Sequence, residues 1–139
     1  MENGPEPAEK SKPGRIDDFT DLEVWRCARQ LRAAVYRVCR RFPKDETFGL
    51  TSQTRRAAVS VTANIAEGFG RYSYQENIQF CRHSRGSVYE LRDHLTTALD
   101  AGYISKEEYA QLSGQAVSVI KLLNGYIRAT KNRRDTSKD

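Results

Sequence analysis

Apolar residues recur every three or four positions along four stretches of the chain, a spacing that is typical of α-helices that bury one face. The first stretch ends at Phe42, because Pro43 disfavours helical geometry at the residue before it. Three stretches open with the pattern of a capping box, a Ser or Thr followed three residues later by Glu: Thr20 with Glu23, Ser73 with Glu76, and Ser105 with Glu108. Since the predicted connections are short, the sequence predicts an all-α, antiparallel up-down-up-down four-helix bundle.

The second predicted helix, residues 50–71, is apolar on two nearly opposite faces. One face consists of Leu50, Thr54, Ala57, Val61 and Ile65. The other consists of Val59, Ala63 and Ala66. A polar stripe runs between the faces. A helix that is apolar on two faces is usually buried on both, so we expect a second helix or another subunit on each side. Asp45 or Thr47 is its predicted N-cap, and Gly68 is its predicted C-cap glycine.

This helix contains two motifs, Gln53-Thr-Arg-Arg-Ala-Ala-Val-Ser60 and Asn64-Ile-Ala-Glu-Gly68-Phe-Gly70-Arg71. Both resemble the signature of the four-helix-bundle proteins encoded in 23S rRNA intervening sequences. Further matches extend the resemblance over residues 17–130: Phe19-Thr-Asp-Leu-Glu-Val-Trp25, Phe42-Pro43 with Glu46, Gly49 and Leu50, Arg85-Gly-Ser87 with Glu90-Leu91, and Leu123-Asn-Gly-Tyr-Ile127. Tyr126 departs from the family pattern, where an aliphatic residue is expected. The resemblance implies a homopentameric ring. Distantly similar bundle proteins are accessory subunits of reverse transcriptases in diversity-generating retroelements, where they engage RNA.

Polar residues at positions that match the family's motifs form the predicted polar network at the oligomer interface. They lie on the second and third helices: Gln53, Arg56, Ser60, Asn64, Glu67, Arg71, Arg85 and Glu90. We expect Arg56 and Glu67 to be buried with Arg85 or Glu90, or with their symmetry mates, because an unpaired buried charge costs a large free energy.

Positive charge is concentrated in two regions, although the formal net charge of the 139-residue chain is only +5. The first helix carries arginines on the face opposite its apolar seam, and the end of the last helix is also basic. Such a row could contact successive phosphates, so the predicted nucleic-acid-binding residues are Arg26, Arg29, Arg37, Arg40, Arg128 and Lys131. In a single chain, a solvated face is the simpler explanation. A ring that repeats each basic face would strengthen the summed field.

The sequence predicts no catalytic, cofactor or metal site, and therefore no enzyme. No G-x-S-x-G motif surrounds the helical serines, and neither His83 nor His94 has the partners of a catalytic triad. Cys81 and His83 point to different faces, and the chain has no C-x-x-C or H-x-x-x-H pair. The three cysteines are interpreted as small buried hydrophobic residues: Cys27, Cys39 and Cys81.

The predicted organisation is a disordered leader over residues 1–16, the bundle over 17–131 and a charged flexible tail over 132–139. No apolar run approaches the roughly 18–20 residues that span a bilayer, and no secretory signal is present, so we expect a cytoplasmic protein without a membrane partner. The leading hypothesis is a non-enzymatic homo-oligomer that binds structured RNA or a ribonucleoprotein, such as a reverse transcriptase complex. The alternative is a homo-oligomeric protein-interaction scaffold with no nucleic-acid role.

Overall fold

The periodic apolar stretches form four α-helices in the computed structural model, which describes residues 14–137. The helices are α1 Glu23–Cys39, α2 Leu50–Phe69, α3 Tyr74–Asp100 and α4 Lys106–Thr136. No strand occurs in residues 14–137, so the all-α class and the four-helix bundle are confirmed. Residues 1–13 of the predicted leader and residues 138–139 of the predicted tail lie outside the described residues.

The core of the bundle consists of the apolar stripes that the sequence indicated. Each helix contacts two others, α1 with α2 and α4, and α3 with α2 and α4. The most deeply buried large side chains come from all four helices and include Leu31, Val35, Val61, Ile65, Leu91, Leu95, Val119 and Leu123. Complete burial of a side chain of this size stabilises the fold by about 1.5–3 kcal/mol, so these residues set the helix positions.

The contact between α2 and α3 depends on small side chains. The Ser84 hydroxyl is buried and donates a hydrogen bond of 2.7 Å to the backbone carbonyl of Val61. A Cβ at Gly68 would lie 2.8 Å from the Cβ of Phe80, which is closer than side-chain carbons approach one another. Small residues on both helices therefore let α2 and α3 approach each other closely.

Gly68 is not the C-cap glycine that the sequence predicted. It lies inside α2, which ends at Phe69 instead of Arg71, and Gly70 is the C-cap with a φ of −76°. Neither Gly68 nor Gly70 has a positive φ, so no left-handed turn requires glycine here. Residue 68 must be glycine because of its close contact with α3.

The start of α1 and the start of α2 also differ from the sequence prediction. Thr20 does not cap α1, because a 3-10 turn at Phe19–Asp21 precedes the helix and the Asp21 carboxylate accepts from the Asp18 N–H at 3.1 Å. α1 itself starts after Leu22 without a side-chain cap. Neither Asp45 nor Thr47 caps α2, whose N-cap is Gly49.

The caps predicted for α3 and α4 are present. Ser73 accepts a hydrogen bond of 3.2 Å from the Glu76 N–H. Ser105 and Glu108 form a full capping box, with hydrogen bonds of 3.1 and 3.0 Å. The Ser105 N–H, followed by the Arg41 guanidinium, holds the pKa of the Glu108 carboxyl below its ordinary value. At the other end, α4 continues to Thr136, so residues 132–136 of the predicted tail are helical.

Gly68→Ala tests the close contact of α2 with α3. Its new Cβ would overlap Phe80 and Asn77, so we expect a loss of about 1–3 kcal/mol in the free energy of unfolding. Gly114→Ala is the matched control, because nothing lies within 4 Å of a Cβ at this helical position. The control should gain about 0.5–1 kcal/mol from the lower entropy of its unfolded chain. Equal effects in urea unfolding would contradict the steric explanation.

Candidate nucleic-acid interface

The four arginines predicted on the outer face of α1 are all exposed, because the apolar seam of that helix turns them away from the core. Two of them make contacts near the start of the helix. The Arg26 Nε donates to the Thr20 carbonyl at 2.8 Å, and its guanidinium lies 3.7 Å from the Asp21 carboxylate. The Arg29 guanidinium lies 5.7 Å from the centre of the Trp25 ring. The charge of Arg26 is therefore partly neutralised by Asp21, and Arg29 lies against an uncharged ring.

Arg37 and Arg40, nearer the end of α1, border a concave surface between α1 and α2. One depression of about 570 Å³ lies against the side of α1, and an adjoining one of about 590 Å³ extends over the first half of α2. Tyr36 and Val59 line both. We call this surface the basic groove and define it by Arg32, Tyr36, Arg37, Arg40, Phe48, Arg55, Arg56 and Val59.

Five of the eight residues of the basic groove are arginines, and no acidic residue lines either depression. In residues 14–137, none of these five arginines belongs to an ion pair. Arg32 is held by a hydrogen bond of 2.9 Å to the Thr62 hydroxyl on α2. The Arg55 guanidinium lies 5.4 Å from the centre of the Tyr36 ring, which fixes it across the two helices. The groove therefore has a high, locally uncompensated positive charge.

The six predicted nucleic-acid-binding residues do not share one surface. Only Arg37 and Arg40 line the basic groove. Because an α-helix rises about 1.5 Å per residue, Arg26 lies about 21 Å from Arg40 along the helix axis. Arg128 is exposed and Lys131 half-buried near the end of α4. That part of α4 lies beside the start of α1, since Tyr126 and Leu22 line one common depression.

The groove's aromatic residues and its second pair of arginines are not apparent from the sequence pattern. Arg55 and Arg56 are adjacent in sequence, which is a usable signal, but the family's motifs place Arg56 only in the predicted polar network. Tyr36 lies one position outside the apolar seam of α1. Phe48 lies in the turn before α2, where periodicity gives no information about the direction of a side chain.

Several residues of the predicted polar network lie close together on α2 and α3. The hydroxyl oxygens of Ser60 and Ser87 are 2.7 Å apart, and the Asn64 side-chain amide donates to the Ser60 carbonyl at 2.8 Å. Beside them, a depression of about 250 Å³ is lined by Gln53, Arg56 and Glu90 as well as Ser60. Five of the eight predicted residues therefore lie close together.

The remaining members of that network make separate contacts. Glu67 pairs with Arg71 one turn later at 3.0 Å, with both side chains about half exposed. Arg85 donates to the Asn124 side-chain oxygen on α4 at 2.8 Å. The expected burial of Arg56 and Glu67 is absent from the single chain, where both are exposed. The physical reason is that both lie toward the face of α2 that no helix of the described chain covers.

Two cysteines and one serine with potentially reactive side chains are buried in the core. Burial raises the pKa of the Cys39 thiol to about 11 and that of Cys81 to about 12, so both remain protonated at neutral pH. Ser84 contributes its hydroxyl to the helix contact described above. Between residues 14 and 137, no three His, Cys, Asp or Glu side chains come together as a metal site requires. In the same part of the chain, no helix has the length and apolarity to cross a membrane.

Comparisons with known proteins agree with the fold. A family model described as 23S rRNA-intervening sequence protein matches residues 20–125. A crystal structure at 1.70 Å resolution of a protein with unknown function from the S23 ribosomal protein family of Bacteroides thetaiotaomicron is similar, with a TM-score of 0.70 and 20% sequence identity. The alignment covers 76% of this chain and 95% of that chain. At this identity the likeness supports the fold alone. No curated protein matches the chain.

Proposed function

The chain belongs to the 23S rRNA-intervening sequence protein family, and from this membership and its surface chemistry we propose that it is a non-enzymatic homo-oligomer that binds structured RNA or a ribonucleoprotein. In this proposal, bundles of up-down-up-down order form a homopentameric ring in the cytoplasm, and each subunit presents its basic groove. A reverse transcriptase complex is one class of ribonucleoprotein that would fit such a ring.

The observation that supports RNA binding most strongly is the uncompensated charge of the basic groove. Five arginines converge there without a carboxylate partner in the described residues. Arginine is the side chain best suited to phosphate, because its planar guanidinium donates two parallel hydrogen bonds. An oligomer would repeat the groove, and the summed field would increase both the affinity and the rate of association.

The observation that supports self-association is the outer side of α2. Val59 is 40% exposed and Ala63 is exposed, while Ala66 beside them is half-buried. We call these three residues the open apolar face. The polar residues Arg56 and Glu67 flank it, and both lack a partner on another helix in the described chain. A second copy that packs on this face would bury the apolar residues and offer polar partners to the charged ones.

The open apolar face also favours the second candidate function, a protein-interaction scaffold. A different protein with an apolar helix could cover the same residues. The two candidates differ in what the arginines contribute, because a scaffold that recognises only the apolar face would not need the basic groove.

We predict that Ala63→Arg prevents assembly without unfolding the chain. Static light scattering should give the wild-type protein a mass about five times the 15.8 kDa of one chain and the variant the mass of one chain. Because Ala63 is exposed in the subunit, the helix content of the variant should be unchanged. Ala110→Arg, at an exposed position of α4, is the control and should assemble normally. A wild-type protein that remains monomeric at micromolar concentration would disprove the ring.

We predict that RNA binding weakens steeply as salt increases and that the arginines of the basic groove account for part of this dependence. The double variant Arg37→Gln/Arg40→Gln should lower the slope of log affinity against log salt by about 1.4, because each single-strand phosphate that an arginine neutralises adds about 0.7 to that slope. A labelled RNA hairpin with a long single-stranded loop is a suitable probe, with fluorescence anisotropy as the measurement.

Two further double variants serve as controls for that experiment. Arg82→Gln/Lys106→Gln removes the same charge from exposed sites outside the groove and should leave the slope nearly unchanged. Arg26→Gln/Arg29→Gln reports whether the start of α1 also contacts phosphate. Equal reductions of the slope in the groove variant and the Arg82/Lys106 control would indicate general attraction and not a site. An affinity that does not depend on salt would favour the scaffold.

A further inference from the structure

Phe48 is the side chain in the basic groove that phosphate binding does not explain. It is 97% exposed, although burial of a phenylalanine is strongly favourable. Isolated exposed apolar residues are common and by themselves indicate nothing. Phe48, however, lines the same depression as Tyr36, Arg55 and Arg56. The groove therefore combines flat apolar surfaces with guanidinium groups.

The turn that carries Phe48 is held by hydrogen bonds. The Thr47 hydroxyl donates to the Lys44 carbonyl at 2.7 Å, and the Gly49 N–H donates to the Glu46 carbonyl at 3.0 Å. These bonds fix the backbone on both sides of the ring before any ligand arrives. Because the backbone is already fixed, stacking of a partner would have to order only the side-chain torsions of Phe48.

A second flat surface lines the same depression as Phe48. The Arg55 guanidinium is placed over the Tyr36 ring at 5.4 Å, and the buried Arg55 Nε has no hydrogen-bond partner in residues 14–137. Aromatic rings and arginine planes are the two groups on which proteins stack unpaired bases. Arg55 and Arg56 line the same depression as Phe48, and the other three arginines of the groove line the adjoining one.

We infer that the basic groove binds a single-stranded segment of RNA, with a base stacked on Phe48 and the phosphates held by the surrounding arginines. This inference depends on the proposed function and specifies its ligand. A paired helix could use the arginines but not Phe48, because its bases are stacked inside the duplex. An acidic peptide could also use the arginines but would leave Phe48 in water.

The test compares Phe48→Ala with wild type on two probes at one salt concentration, a uridine oligonucleotide and a fully paired RNA duplex. Because stacking of a base is worth a large factor in affinity, the variant should bind the oligonucleotide about 5- to 100-fold more weakly. Its affinity for the duplex should not change. Phe48→Tyr should retain most of the single-strand affinity, since it keeps the ring.

Tyr72→Ala is the matched control, because Tyr72 is also fully exposed in a turn but lies at the other end of α2. It should bind both probes as wild type does. Phe48→Trp gives a second readout, since the wild-type chain has one tryptophan. Its additional fluorescence should be quenched by the oligonucleotide and not by inorganic polyphosphate.

Three results would overturn the inference. If Phe48→Ala binds the single strand as wild type does, while Arg37→Gln/Arg40→Gln binds it weakly, the groove contacts the RNA backbone only and the proposed function still holds. If Phe48→Ala lowers the mass of the assembly, Phe48 belongs to a subunit contact. If no RNA binds and poly-glutamate does, the inference fails together with the proposed function.

Discussion

The close packing of α2 against α3 is the contact on which the rest of the structure depends. Gly68 lets the backbone of α2 approach Phe80, and the buried Ser84 hydroxyl satisfies the Val61 carbonyl across the same interface. Together these contacts fix the rotation of α2 about its own axis. Val61 and Ile65 then face the core, while Val59 and Ala63 must face outward. The packing of α2 against α3 thus stabilises the bundle and also leaves one face of α2 uncovered.

The same rotation of α2 determines where the positive charge is found. It places Arg55 against Tyr36 of α1 and leaves Arg56 beside the open apolar face, so α2 adds two arginines to those of α1. The basic groove and the open apolar face meet at Val59. In the proposed ring, each groove would consequently lie next to a subunit contact, and a strand of RNA could follow neighbouring grooves.

The core was predictable because periodicity depends only on spacing, and Leu31 or Leu95 must be buried wherever its helix packs. The Ser73 and Ser105 caps were predictable for a similar reason, since a cap is a local interaction. Gly68 was misassigned because a glycine near the end of a helix has the same sequence pattern whether it ends the helix or allows a close contact. The basic groove joins two helices and a turn, and the direction of Phe48 depends on tertiary structure that spacing does not encode.

Ultraviolet crosslinking of a thiouridine-substituted RNA, followed by mass spectrometry of the peptides, measures most directly whether RNA occupies the basic groove. We expect crosslinks on the peptides that contain Tyr36 and Phe48, and their disappearance in the presence of excess unlabelled RNA. Tyr72, Tyr74 and Tyr89 are exposed outside the groove and provide internal controls in the same sample. Crosslinks confined to these three tyrosines would contradict RNA binding in the basic groove, because they would place the RNA on a different surface of the bundle.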